Sequence, residues 1–89
     1  MFDLGYNNAM TIKLLIVDPE IGFAIPVKRA LEQSGDYVVN VFANGMAAIE
    51  LCQRDPQDIA ILDFRIGDMD LPRLIKALRA VQPDLLLHQ

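Results

Sequence analysis

A single cysteine, Cys52, and a single histidine, His88, set the first limits on this chain. One cysteine cannot close an internal disulfide, which suits a reducing compartment, and a cytoplasmic location is expected. With His88 near the end and no Gly-rich loop to cradle a phosphate, a nucleophile–histidine enzyme has no support; the expectation is a non-enzyme. Long apolar runs are missing too. Asp18, Asp36, Asp58 and Asp63 interrupt every stretch well short of the ~20 residues a membrane-spanning helix needs. Basic residues are few, 8 Lys and Arg against 12 Asp and Glu, for a net charge of −4. Seven of them, Lys28, Arg29, Arg54, Arg65, Arg73, Lys76 and Arg79, are scattered, so no direct nucleic-acid footprint is expected. The opening "MFDLGYNNAM" lacks the basic start and apolar core of a signal peptide. Residues 1–10 read as a flexible leader, with Met10 available as an alternative start.

The chain has 89 residues, 53% of them hydrophobic, enough for one small domain over residues 11–89 and too apolar for disorder. Its texture alternates. "TIKLLIV" (11–17) is nearly all apolar and branched, as in a strand covered on both faces. "GFAIPVKRALEQSG" (22–35) has helical period, with Phe23, Val27, Ala30 and Leu31 on the expected inner face. Pro26 either begins the regular helix or sits inside an earlier-starting, irregular one; the earlier start is favoured. Gly35 stands where a left-handed C-terminal cap is wanted. "YVVNVFA" (37–43) is a strand whose Asn40 suits an edge, and "NGMAAIELCQRD" (44–55) is a helix with Ala48, Ile49 and Cys52 inward. "PQDIAILDF" (56–64) is a third strand. "DLPRLIKALRAVQPD" (70–84) is a helix with Leu71, Leu74, Ile75, Leu78 and Val81 inward, and "LLLHQ" (85–89) opens a fourth strand. Such alternation implies an α/β fold with a parallel sheet and right-handed crossovers.

Two of the strands end on an acid, Asp18 in "KLLIVDPE" and Asp63 in "DIAILDFRIGDMDL". Each alone could simply cap a turn. If the first and third strands are neighbours at the switch point of the sheet, both carboxylates open into one crevice. Paired carboxylates there either raise a pKa or recruit a cation, and Mg²⁺ is the natural one for clustered oxygens. A carboxylate in such a place can also act as a nucleophile toward a phosphoryl group.

The segments "KLLIVDPE", "FANGMAAIELC", "DIAILDFRIGDMDL" and "LRAVQPDLLL", in this order and spacing, resemble the receiver domain of two-component response regulators from about Ile12 to Leu87. The resemblance implies a flavodoxin-like (βα)₅ fold with parallel sheet order 2-1-3-4-5, its C-terminal part missing from this chain. It implies Asp63 as phospho-acceptor, Asp18 and Glu20 in the acidic pocket, and a metal held by Asp18, Asp63 and the backbone carbonyl of Arg65. The implied partners are a histidine kinase or phosphotransfer protein and an output domain in the same or another chain.

The sequence also departs from the family pattern. The second acid of the pair falls on Pro19, which weakens the expected Mg²⁺ site. The loop after the acceptor reads "IGDMDL" where the family usually has Met-Pro-Gly-Met-Asp-Gly. Two readings follow: a phosphorylated signalling receiver, or a degenerate receiver serving as an interaction or dimerisation module. An aspartyl-phosphate hydrolase is disfavoured because its second acid, two residues after the nucleophile, would fall on Arg65. A homodimer is expected from an open edge at "DLLL" (84–87) and from apolar surface on Leu15, Val17, Ile61 and Leu85 to Leu87.

Overall fold

The computed structural model describes residues 11–89, so the leader assigned to residues 1–10 lies outside the described residues. The elements run β1 (Ile12–Val17), α1 (Ile21–Gln33), β2 (Tyr37–Phe42), α2 (Gly45–Arg54), β3 (Ile59–Leu62), α3 (Leu71–Val81) and β4 (Leu86–His88). All pairings are parallel, as the alternating pattern implies, and the sheet order is β2-β1-β3-β4, as the family resemblance implies. β1 is central, and four consecutive residues, Leu14 to Val17, are buried. That is why its sequence is continuously apolar rather than alternating.

The two faces of the sheet are covered differently. Leu15, Val17, Ala60 and Leu62 face α2 and α3, joining Ala48, Leu51, Cys52, Leu74, Leu78 and Leu85 in the larger core. Leu14, Ile16 and Val39 face α1 through Ala24 in the smaller one. The expected apolar surface is thereby corrected. Leu15, Val17 and Leu85 are fully buried under the two-helix layer, and Leu86, 65% exposed, is the large outward-facing residue of β4.

The inner face of α1 is corrected as well. Phe23 is 70% and Val27 48% exposed, and Ala30 is exposed; Leu31 packs toward the sheet as expected, and Ala24 and Lys28 take the other inner places. The helix carries two apolar stripes, and periodicity alone does not choose between them. Tertiary contacts choose: small Ala24 admits close approach, while Lys28 Nζ donates to the Val39 carbonyl at 2.8 Å and Glu32 accepts from the Val39 N–H at 3.0 Å. Pro26 lies inside the helix, which begins before it as expected. Gly35, at φ 86°, supplies the left-handed residue after the helix, and its N–H donates to the Glu32 carbonyl at 3.1 Å.

The other two helices follow their sequence signals. Asn44 caps α2 by accepting from Ala47 N–H at 2.9 Å, and Asp70 caps α3 by accepting from Arg73 N–H at 2.9 Å. Pro72 lies in the first turn of α3, where no N–H is missed. β1 leads to a helix on one face and β3 to a helix on the other. Their shared C-terminal edge is therefore the switch point of the sheet.

Candidate functional site

The hydrogen-bond ladder delivers both acids to that edge. Val17 pairs with Leu62 in register, and Asp18 and Asp63 follow directly. Asp18 N–H donates to the Phe42 carbonyl and Asp63 N–H to the Val17 carbonyl, each at 2.9 Å, so the two backbones are fixed one strand apart. They border a crevice of about 390 Å³ whose wall also includes Ile16, Ile61, Phe64 and Arg65. Each acid also caps its own loop. Asp18 Oδ1 accepts from Glu20 N–H and Asp63 Oδ1 from Arg65 N–H, both at 2.8 Å. Turn capping and a shared acidic crevice are thus present in the same residues.

A cation already stands in this crevice. The Arg65 guanidinium takes Asp63 in a two-pronged grip, Nε to Oδ1 at 3.0 Å and Nη2 to Oδ2 at 2.7 Å. Its remaining arm, Nη1, donates to Glu20 Oε1 at 3.1 Å, linking the loop after β1 to the loop after β3. The Asp63 side chain is only 14% exposed, against 52% for Arg65 and 48% for Glu20. The Arg65 side-chain hydrogen bonds, followed by its backbone N–H, hold the Asp63 carboxyl down at about 2. Asp63 in turn raises Arg65, with smaller contributions from Glu20 and Asp18. The sequence reading gave Arg65 only a backbone role. The Asp-x-Arg spacing was the available signal, because an Asx turn brings the second residue after the acid back over its own carboxylate.

Asp68 was missed altogether. Its Oδ1 accepts from Gly45 N–H and its Oδ2 from Met46 N–H, both at 2.9 Å. With Asn44 on Ala47, the first three N–H groups of α2 are all satisfied. These bonds, led by that from Gly45, lower the Asp68 pKa. Met69 lies so close that a β-carbon on Gly45 would sit 2.9 Å from its sulfur. The loop that follows Asp63 is thereby fastened to the start of α2. Cys52, by contrast, is a core residue: burial, then Asp55, pushes its thiol up and away from reactivity. His88 is exposed at the end of β4.

A divalent metal fits this arrangement poorly. Mg²⁺ demands near-octahedral oxygen coordination. Both Asp63 oxygens hold Arg65, Asp18 Oδ1 holds an N–H, and Pro19 has no side-chain oxygen to offer. Among the described residues no group of three or more His, Cys, Asp and Glu side chains is placed to hold a metal ion.

Fold, paired strand-end acids and loop geometry all point one way, and a family model for the response regulator receiver domain matches residues 14–87. The chain belongs to the response regulator receiver domain family. It is 28% identical over 76 residues to sporulation initiation phosphotransferase F of Bacillus subtilis (strain 168), covering 85% of this chain and 60% of that protein. A crystal structure of a Burkholderia pseudomallei response regulator, with a phosphorylated aspartic acid, calcium ion and citrate, superposes with a TM-score of 0.75 at 28% identity. That match covers 85% of this chain and 45% of the other. A CheY-like receiver domain from Methanospirillum hungatei JF-1 shares the fold, with a TM-score of 0.80 at 22% identity, over 86% of this chain and 61% of that one. The receiver chain thus spans less than two thirds of each of these relatives. Among the described residues no helix is long and apolar enough to cross a membrane.

Proposed function

We propose that this chain is a signalling receiver rather than an enzyme, and that Asp63 is its phosphoryl acceptor. The observation that carries the reading is the placement of Asp63 at the end of β3, beside Asp18, on the switch-point crevice. In the proposed step, a carboxylate oxygen of Asp63 attacks the phosphorus of a phosphohistidine. The P–N bond breaks, the imidazole leaves and takes up a proton, and an acyl phosphate remains. Its added negative charge sits where Arg65, Glu20 and the loop pinned by Asp68 meet, so the surface presented to an output domain changes. A histidine kinase or phosphotransfer protein as donor and a cytoplasmic setting complete this reading. The B. pseudomallei relative, with its phosphorylated aspartic acid, supports the assignment by similarity.

The test is mass spectrometry after incubation with acetyl phosphate and Mg²⁺. One phosphoryl group is expected on the wild-type chain and none on Asp63→Asn. Uptake that persists in Asp63→Asn would remove Asp63 from the acceptor position. No uptake by either chain would leave the degenerate, phosphorylation-independent module as the better reading, which Pro19 and the Arg65 grip on Asp63 favour. A homodimer belongs to either reading, with the outer edge of β4 and exposed Leu86 as the surface to pair. Sedimentation equilibrium reads it directly; a monomer at high concentration removes it.

A further inference from the structure

Asp63, the acid at the end of β3, faces a guanidinium instead of open solvent. Arg65 forks onto both oxygens of Asp63 and reaches Glu20 with its free arm. The Phe64 ring lies 6.0 Å from the guanidinium carbon, a cation–π distance that helps hold the group in place. Pro19 leaves one fewer carboxylate for a metal, and the carboxylate that matters most is the one Arg65 occupies.

We propose that Arg65 is the resident counter-ion of the acidic crevice and excludes divalent cations from Asp63. The proposal rests on the receiver reading for its location but concerns a different property, which cation the site holds. A guanidinium forked onto both oxygens competes with a small hard cation for their lone pairs, and like charges this close repel. A divalent ion therefore enters only when the Arg65 side chain leaves. Half of that side chain is exposed, so its way outward is open once its bonds to Asp63 and Glu20 break. Arg65 is a positioning residue here, acting on Asp63 rather than on a phosphoryl donor.

The experiment is titration of the full 89-residue chain with Mg²⁺ by calorimetry, and with Mn²⁺ by broadening of carboxylate-adjacent NMR signals. Wild type is expected to bind weakly. Arg65→Met, which keeps the stem length and loses the charge, should bind about tenfold tighter, the scale set by removing one nearby positive charge. Arg65→Lys should fall between them, since an ammonium keeps the charge without the fork. The gain must vanish in Arg65→Met with Asp63→Asn. An Arg65→Met chain that binds no tighter than wild type overturns the proposal. So does a gain that survives Asp63→Asn, because the ion would then sit elsewhere. Failure of the receiver reading shows separately, as absence of phosphoryl uptake by Arg65→Met at saturating Mg²⁺, and leaves the metal titration decisive on its own question.

Discussion

Pro19 and Arg65 act on one crevice from opposite sides of its charge balance. Pro19 removes an oxygen where the family pattern has an acid; Arg65 adds a cation that spends the oxygens of Asp63. Pro19→Asp should therefore tighten Mg²⁺ by restoring a ligand, but less than Arg65→Met does, because the new carboxylate is also a new partner for the guanidinium. Calorimetry on both single variants ranks them. Equal affinity of Pro19→Asp and wild type would mean that a missing oxygen is not what limits the site. At this scale Asp18 and Asp63 were legible in sequence because an apolar strand that stops on an acid leaves that acid at the strand's end. The side chain of Arg65 was not legible. Its reach depends on a turn geometry and on Glu20 arriving from a different loop, 45 residues away.

Among the elements, α2 depends most visibly on a residue outside itself. Asp68 satisfies Gly45 and Met46, and no residue of the helix replaces it. Asp68→Ala should cost about 1 kcal/mol at neutral pH, the usual worth of a helix cap. The pH dependence has a definite sign. The folded-state pKa of Asp68 is lowered below its ordinary 3.8, so the contribution is present above that value and is lost as pH falls through the folded pKa. Urea denaturation of wild type and Asp68→Ala should give curves that separate at neutral pH and converge in strong acid. A constant separation would show that charge on Asp68 is irrelevant to the cap. The α1 helix teaches a related lesson about legibility. Its boundaries, Pro26 included, were readable, but its buried face was not. The decision between its two apolar stripes rests on Lys28 and Glu32 bonding to the Val39 backbone on edge strand β2. Those bonds also occupy the donor and acceptor that this edge residue turns away from β1, which blunts the edge against pairing with another chain.

Across the whole molecule, packing is uneven, and this gives a sharp contrast between two apolar residues. Leu78 of α3 is 0% exposed in the core shared by α2, α3 and the sheet, whereas Phe23 of α1 is 70% exposed on the other side. Parallel pairing was legible from βα alternation and the edge place of β2 from its polar Asn40, while the full sheet order came from the family resemblance. Which helix face meets the sheet depends on packing partners distant in sequence. Reading Phe23 as an inner residue predicts a large loss on truncation; the observed packing predicts almost none. Leu78→Ala should cost about 2–5 kcal/mol, a large part of the roughly 5–15 kcal/mol that holds a small domain together. Phe23→Ala should stay within about 0.5 kcal/mol, as for a surface site away from special features. Denaturant midpoints with unchanged slopes measure both. A Phe23→Ala loss comparable to that of Leu78→Ala would mean that, in solution, another surface covers the outer stripe of α1 and that the burial pattern of the single chain is incomplete.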